Sequence, residues 1–265
     1  MSVEGKLRGI RQILKFDNRV HLVLQRLFFR GESLGVYMLG GLEVLVDHAA
    51  GDASGAPDVL TQPMYADYLP YLTPSHPANV LDIGANVGGF PLFLARHGVR
   101  FNRLVSVELN PRTCIRLRFN LERNLRGDIV VVNAGLCGTA RPLELLLGEG
   151  SVADSLYGPS FNATGQTTVV PGLTFDAIHE RAFGKGDVDI CKLDVEQAEY
   201  EVMDNDGHDR LRRCRVLVVE IHDVAGRSHR DVADAIVRLG FKLLPQRSDK
   251  SVYVFLNSAW RHHAE

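Results

Sequence analysis

From residue 79 onward, short apolar runs alternate along the chain with stretches in which apolar residues recur every three or four positions. The runs have the length of buried parallel strands and fall at residues 80–83, 104–107, 129–132, 188–193 and 216–219. Helical periodicity follows them at residues 111–124, 174–182, 196–204 and 230–239. This alternation predicts an α/β fold, with a mostly parallel sheet and helices on both faces. Two last runs, 241–244 and 251–256, predict a terminal pair of strands, which we expect to form a hairpin.

The first 75 residues follow a different pattern, in which helical spacing dominates. Residues 6–30 carry apolar positions three and four apart, with arginine and lysine between them, which is typical of amphipathic helices. Such helices pack on the domain or on a partner subunit, and a membrane-surface helix is the alternative. Residues 42–46 predict a short strand, residues 51–57 a loop or linker, and residues 64–72 a short helix.

We therefore expect a helical amino-terminal extension over residues 1–75 and one doubly wound domain over residues 76–260. Within the domain, the alternation breaks at two strands predicted over residues 143–147 and 167–170. A long polar segment, residues 148–166, joins these strands. Loops of this length in a compact domain are usually functional or mobile, although a tolerated surface insertion explains the pattern nearly as well.

Charge and cysteine usage narrow the class of protein. The 265-residue chain has a formal net charge of −2, so its overall charge gives no reason to expect nucleic-acid binding. The four cysteines, at positions 114, 137, 191 and 214, form no Cys-x-x-Cys pair and are interpreted as reduced, buried thiols. The sequence shows no secretory signal and no apolar stretch long enough to span a membrane. These features predict a cytoplasmic protein.

A glycine-rich turn follows the first strand of the predicted sheet. Asp82 lies near the end of that strand, and Gly84, Gly88 and Gly89 come before a new helical pattern. Glycines let a ligand approach the main chain, and a helix start offers unpaired N–H groups, so this turn predicts a ligand cradle. Its spacing is neither Gly-x-Gly-x-x-Gly nor a phosphate-binding Gly-Lys-Ser/Thr loop. Because Asp82 would repel phosphate, a cationic ligand such as S-adenosylmethionine (SAM) fits better. Another nucleotide or a purely structural turn is the alternative.

Polar residues also end the next two strands, where open parallel sheets bind their ligands. Glu108 ends the second strand, the position from which an acid accepts the hydroxyls of a ribose. A favourable charge beside the helix that follows Asn110 is the competing explanation. Asn133 ends the third strand and can offer its amide to an adenine edge, or can serve as an ordinary turn residue.

Acids and an imidazole gather at the ends of the fourth and fifth strands, as Asp194 with Glu196 and Glu220 with His222. General-base catalysis is the favoured interpretation: His222 takes a proton from an acceptor hydroxyl, while Asp194 or Glu220 orients its ring. Carboxylates with histidine are also ligands of hard metals, although no metal site is predicted. A third interpretation pairs Asp194 and Glu220 with Lys192 or with arginines in a purely structural role.

Four motifs, in this order, resemble the FkbM-type SAM-dependent methyltransferases: VLDIGANVGGF at residues 80–90, SVELNP at 106–111, DICKLDVEQAEY at 189–200 and VVEIH at 218–222. The resemblance covers roughly residues 78–225, and the order and spacing of the motifs make it specific. Two departures stand out, because Gln197 replaces the glycine usual after Asp-Val-Glu and Leu109 replaces the proline usual before Asn110.

The resemblance implies a class I methyltransferase fold, with a seven-stranded sheet whose last strand is antiparallel. It also implies methyl transfer from SAM, typically to a hydroxyl of a sugar or natural product, with no nucleic-acid partner. The residues implied for the methionine end of SAM are Asp82, Gly84, Asn86 and Gly88. Those implied for the ribose and adenine are Glu108, Asn133 and Ala134. Those implied for the acceptor are Asp194, Glu220 and His222.

Two other function classes fit the same predicted sheet. A nicotinamide-dependent oxidoreductase is one, although the absent third glycine and Asp82 count against it. A non-catalytic SAM or nucleotide-binding module, whose amino-terminal helices bind a partner, is the other. We also expect that a homo-oligomer forms through those helices.

Overall fold

The computed structural model describes residues 11–28, 33–52, 55–148, 163–205, 208–245 and 251–260. Its helices of the α type are α1 (Arg19–Phe28), α2 (Ala56–Thr61), α3 (Leu69–Leu72), α4 (Gly89–Arg96), α5 (Pro111–Asn124), α6 (Phe175–Phe183), α7 (Ala198–Asp204) and α8 (His229–Arg238). Its strands are β1 (Leu34–Leu39), β2 (Leu42–Asp47), β3 (Ala78–Ile83), β4 (Phe101–Glu108), β5 (Asp128–Asn133), β6 (Gly135–Leu136), β7 (Arg141–Gly148), β8 (Ala163–Leu173), β9 (Val188–Leu193), β10 (Cys214–Glu220), β11 (Phe241–Leu243) and β12 (Val252–Asn257).

Seven of the described strands form the main sheet, in the order β11-β12-β10-β9-β3-β4-β5. Strand β12 runs antiparallel to both of its neighbours, and the other neighbouring pairs are parallel. The predicted α/β fold, and the antiparallel last strand that the resemblance implies, are therefore confirmed. Chain order reverses direction at β3, which lies between β4 and β9. In open sheets of this kind, that reversal opens a crevice at the carboxyl ends of the strands.

Helices cover both faces of the sheet because successive residues of each strand point to opposite sides. On β3, Val80 is buried on one side, whereas Leu81 and Ile83 are buried on the other. Helices α4 and α5 and the amino-terminal elements pack on the first side. Helices α6, α7 and α8 pack on the second side. Each buried face therefore has its own apolar layer, as a doubly wound domain requires.

The amino-terminal region contains a β-hairpin in addition to its helices. The predicted strand at residues 42–46 is present as β2, and it pairs antiparallel with β1, which the sequence pattern did not predict. In β1, Tyr37 and Leu39 are buried, but Leu34, Val36 and Met38 are exposed and apolar as well. Because both faces carry apolar side chains, the alternation that identifies a half-buried strand is missing.

The loop or linker predicted over residues 51–57 is present at Gly51 and Gly55, but its last two residues are helical and it is not a free linker. Helix α2 begins at Ala56, and Asp52 is buried with a relative exposure of 1%. The Arg116 guanidinium on α5 donates from Nε to Asp52 Oδ2 over 2.6 Å and from a terminal nitrogen to Oδ1 over 3.0 Å. This two-pronged bond fixes the segment to the domain.

The structure bears on the long insertion only at its ends. The two predicted strands are present as β7 and β8, which pair antiparallel, and β8 extends to Ala163, inside the segment predicted as loop. Residues 149–162 of that segment lie outside the described residues. All four cysteines lie within the described ranges, and they are unpaired and buried. No helix among the described residues is long and apolar enough to cross a membrane.

Candidate functional site

A cavity of about 280 Å³ opens at the carboxyl ends of β3, β4, β9 and β10, at the reversal of strand order. Its wall includes the glycine turn after β3, residues 134–136 after β5, and the ends of β9 and β10. The amino-terminal region closes another side with Gly55, Ala56, Val59, Met64 and Tyr65. The fold therefore brings the predicted cradle and the predicted acidic cluster into one cavity.

The glycine turn lines the cavity with Gly84, Ala85 and Asn86. Gly84 has a φ of 78°, and a Cβ added to it would lie 1.6 Å from the carbonyl oxygen of Asp194. This glycine is therefore required by the close passage of the neighbouring strand end, not by a ligand. Gly88 has a φ of 91° and faces Leu121 of α5, so it does not line the cavity. A contact of Gly88 with a ligand therefore has no support from the cavity wall and stays a prediction.

Asp82 lies beneath the turn and not on the cavity wall. Its side chain is fully buried, and neither carboxylate oxygen has a hydrogen-bond partner among the described residues. Burial raises the pKa of Asp82 to about 6, while Lys192 opposes the rise and Asp194 adds to it. Asp82 therefore acts on the site through its charge and its two unpartnered acceptors, and direct lining of the methionine end is not supported.

Glu108 lies on the cavity wall, at the end of β4, as predicted. Its carboxylate accepts hydrogen bonds from the backbone N–H of Asn86, over 2.8 Å, and of Asn110, over 2.8 Å. Asn110 in turn caps α5, where its side chain accepts from the N–H of Arg112 and Thr113. A carboxylate has about four acceptor positions, so these bonds orient Glu108 and remain compatible with ribose hydroxyls.

Asn133 does not line the cavity, although its neighbour Ala134 does. The amide nitrogen of Asn133 donates to the backbone oxygens of Glu108 and Leu109, both over 2.8 Å. Those bonds hold the end of β5 against the end of β4. The amide nitrogen of Asn133 is thus occupied by the backbone, as the turn interpretation expects, and a contact with an adenine edge stays a prediction.

Lys192 and Asp194 form an ion pair at the end of β9. The Lys192 ammonium lies 2.7 Å from Asp194 Oδ2 and 3.4 Å from the Gly84 carbonyl oxygen. Burial alone would lower the pKa of Lys192, but Asp194, Tyr65 and Asp82 together raise it. Lysine thus stays charged inside the cavity and holds one oxygen of Asp194, as the structural interpretation of this acid predicted.

His222 follows β10 and is oriented by a residue that the sequence did not single out. Its Nδ1 lies 2.8 Å from Oε1 of Glu199, a side chain on α7 that is 1% exposed. Asp194 Oδ1 lies 3.7 Å from the other ring nitrogen, and Glu220 instead accepts a hydrogen bond from Ser251. Among the described residues, Glu199 therefore makes the short contact to the ring, and an orienting role of Asp194 or Glu220 stays a prediction. The only signal for Glu199 was its place one helical turn after Glu196.

The charges around His222 change its protonation. Burial alone would lower the pKa of His222, but the hydrogen bond that the ring donates to Glu199 and the charges of Glu196, Glu199 and Asp194 raise it to about 9. Near neutral pH the ring is therefore mostly protonated and is not available as a general base. The predicted role of His222 as the proton acceptor does not fit this environment.

Two carboxyls of the cluster, Glu196 and Glu220, have pKa values above those of ordinary surface acids. Burial raises the pKa of Glu196 to about 7; Asp194 and the other acids add to the rise and His222 opposes it. Burial and Asp194 also raise the pKa of Glu220, which accepts a hydrogen bond from the Ser251 hydroxyl over 3.2 Å. Both side chains line the cavity, and a raised pKa makes each of them a stronger proton acceptor than an ordinary carboxylate.

The predicted helix over residues 196–204 begins later than its periodicity indicates. Glu196 and Gln197 have φ values of 48° and 83°, in the left-handed region, and α7 begins at Ala198. Gln197 stands where the resemblance implies glycine, and its backbone keeps the conformation that glycine favours. The departure noted in the sequence therefore leaves the turn in place at a cost in strain.

Solved structures similar to this chain include several methyltransferases. FkbM methyltransferase from Methylobacillus flagellatus is 14% identical with a TM-score of 0.46, over 68% of this chain and 43% of that one. A TehB-like SAM-dependent methyltransferase from Corynebacterium glutamicum is 13% identical with a TM-score of 0.38, over 73% and 87%. Ribosomal protein L11 methylase from Lactobacillus delbrueckii subsp. bulgaricus is 11% identical with a TM-score of 0.38, over 71% and 73%.

A search of curated protein sequences finds no match to this chain. The sequence profile of a protein family, described as Methyltransferase FkbM domain, matches residues 82–243. That match begins at Asp82, includes the glycine turn, Glu108 and the acidic cluster, and spans more than half of the chain. The chain therefore belongs to the FkbM family of SAM-dependent methyltransferases.

Proposed function

We propose that this protein transfers the methyl group of SAM to a hydroxyl of a small acceptor, such as a sugar or a natural product. The observation that carries the proposal is the continuity of one cavity, which extends from Glu108 at the end of β4 to Glu220 and His222 after β10. Glu108, which could accept ribose hydroxyls, and Glu220, which could accept a proton, thus line the same cavity.

The cofactor end of the cavity comprises the turn after β3 and the end of β4. Glu108 would accept the ribose hydroxyls, and Ala134 would lie beside the adenine. Gly84, Ala85 and Asn86 would contact the methionine end with their main chain. Asp82, buried beneath the turn, would favour a cationic group there through its charge and without direct contact. SAM supplies an electrophilic methyl group there.

The acceptor end would bind the substrate hydroxyl beside the cluster after β9 and β10. The work of the protein is to position that oxygen and to remove one proton as the methyl group is transferred. Glu220 is the proposed proton acceptor, because it lines the cavity and because burial and the charge of Asp194 raise its pKa. The Lys192 ammonium, 2.7 Å from Asp194 Oδ2, would balance part of the charge that develops.

A methylation assay tests the proposal. The purified full chain is mixed with methyl-labelled SAM and a small-molecule cell extract. Mass spectrometry then identifies compounds that have gained one labelled methyl group. Glu220→Gln should reduce the labelled product at least about tenfold, as is typical when a general base is removed. Glu122→Gln, an exposed change on α5, is the matched control and should leave it unchanged.

The atom that receives the methyl group tests whether the acceptor is a hydroxyl. Isotope-edited NMR of the product should place the new methyl group on oxygen. A methyl group on nitrogen would contradict the hydroxyl acceptor but not the use of SAM. A folded protein that binds SAM and labels nothing in any extract would contradict methyl transfer and would favour the non-catalytic module.

A further inference from the structure

Three side chains at the acceptor end of the cavity direct metal-ligating atoms toward one point. One ligand atom each from Asp194, Glu196 and His222 lies within 4.8 Å of the other two. His222 Nε2 is 3.7 Å from Asp194 Oδ1 and 3.6 Å from Glu196 Oε2. Ligands about 2.1 Å from a tetrahedral metal are about 3.4 Å apart. The two distances from His222 Nε2 are therefore within a few tenths of an ångström of that spacing.

A second, independent observation concerns the group behind the histidine. Glu199 bonds Nδ1 of His222 over 2.8 Å, so that Nε2 faces the two carboxylates. The Glu199 side chain is 1% exposed, and its second oxygen, Oε2, has no hydrogen-bond partner among the described residues. Histidine ligands of metals usually donate their other N–H to a carboxylate in this way. A buried acid used solely to orient a partly exposed histidine would be a costly arrangement.

The charge balance around the three residues is also unfavourable without a cation. Four carboxylates, Asp194, Glu196, Glu199 and Glu220, surround the single ring of His222. Lys192 neutralises part of this charge through the other oxygen of Asp194, Oδ2, and leaves Oδ1 toward the ring. Like charges so close together in a buried cluster repel strongly, and a divalent cation would relieve that repulsion.

We propose that Asp194, Glu196 and His222 bind a divalent cation, with Glu199 as the positioning residue that orients the histidine. Two carboxylates and one imidazole suit a first-row ion that accepts both oxygen and nitrogen ligands, such as Mn²⁺ or Zn²⁺. The three protein ligands leave coordination positions open toward the cavity, as catalytic sites do and structural sites do not.

The open positions specify the acceptor class, and this step rests on the proposed methyl transfer. A hydroxyl with a second oxygen donor beside it, as in a vicinal diol, would occupy two of the open positions. Coordination makes the hydroxyl more acidic. Its O–H bond breaks with the proton passing to Glu220, while the new O–CH₃ bond forms and the S–CH₃ bond of SAM breaks, which leaves S-adenosylhomocysteine.

The test is an electron paramagnetic resonance titration of the full chain with Mn²⁺, followed by competition with Zn²⁺ and with Mg²⁺. We expect one bound Mn²⁺ per chain and, in pulsed experiments, a nitrogen hyperfine coupling from the imidazole. Glu196→Gln should weaken binding at least about tenfold, and Glu199→Gln by about 10- to 100-fold, the range typical of groups that orient a ligand. Glu122→Gln should bind as the unchanged protein does.

The outcomes separate this proposal from the proposed function. His222→Gln should abolish the nitrogen coupling, and thermal unfolding verifies that each variant is folded. Absence of bound Mn²⁺ and Zn²⁺ at millimolar concentrations, or binding without a nitrogen coupling in the unchanged protein, overturns the cation site. Equal binding by Glu196→Gln and Glu122→Gln overturns it as well. SAM binding measured by calorimetry in the presence of a chelator reports on the cofactor end alone, so its failure would count against the proposed function and not against the cation site.

Discussion

Replacement of Asp82 by asparagine should change the pH dependence of stability. Burial raises the pKa of Asp82 from its ordinary value of 3.8 to about 6. A carboxyl whose pKa is raised in the folded state stabilises the protein fully below the unfolded pKa. That contribution is lost as pH rises through the folded pKa. The unchanged protein should therefore lose stability between pH 3.8 and about 6 because of this one residue.

The magnitude follows from the size of the shift. Each pKa unit corresponds to about 1.4 kcal/mol, so a shift of roughly two units corresponds to about 3 kcal/mol between acid and neutral pH. The Asp82→Asn variant has no such group to ionise, although its buried amide brings a cost that does not vary with pH. The free-energy difference between variant and unchanged protein should thus move by about 2 to 3 kcal/mol in favour of the variant as pH rises from 4 to 7.5.

Urea unfolding of both proteins at several pH values measures this difference directly. Comparison at each pH cancels the many other groups that titrate in both proteins. A difference that stays constant from pH 4 to 7.5 would refute the argument, because Asp82 would then be ionised with an ordinary pKa in the folded state. Glu122→Gln provides the control, and its difference should show no such trend.

Three further predictions concern groups away from the cavity or at its edge. Asp52→Ala removes the short ion-pair partner of the buried Arg116 guanidinium and should lower the free energy of unfolding by about 3–5 kcal/mol. Asp128→Ala removes the partner of Arg103 in an exposed pair and should lower it by less than about 1 kcal/mol. Gln197→Gly removes a side chain from a φ of 83° and should stabilise the protein by up to about 1 kcal/mol in urea unfolding; a loss of stability would contradict the strain. His179 is buried, and burial followed by nearby arginines lowers its pKa to about 4. The stability that the neutral His179 ring contributes is therefore present above pH 6.5 and is lost as pH falls toward 4. NMR should show a neutral His179 ring at pH 6, and a ring that titrates near pH 6.5 would contradict this prediction.

The sheet was predictable from the sequence because its strands are short, buried on both faces and separated by periodic helices. Strand β9 and helix α5 have the predicted bounds, at Val188–Leu193 and Pro111–Asn124. The hairpin partner β1 was not predicted, since its exposed face is as apolar as its buried face. The buried Asp52 was missed because a loop composition does not tell which acid will meet an arginine 64 residues away.

The candidate site was predictable in position and less so in detail. Strand ends identify the cavity, and Glu108 lies there as predicted. The direction of each side chain was not predictable, because a hydrogen bond to the backbone or a turn in the main chain can redirect a residue. Asn133 turned back to the backbone, and the left-handed turn at Glu196 brought Glu199, instead of Asp194, to the histidine. The division at residue 75 and the homo-oligomer through the amino-terminal helices stay predictions.

Calorimetric titration of the full chain with SAM and with S-adenosylhomocysteine tests the central claim most directly. We predict one site per chain for both compounds in the unchanged protein and in Glu122→Gln. Glu108→Gln should weaken both by about 10- to 100-fold, because a hydrogen bond to a charged group contributes about 1.5–3 kcal/mol. A folded protein that binds neither compound, or a Glu108→Gln variant that binds both as tightly as the unchanged protein, would contradict the account.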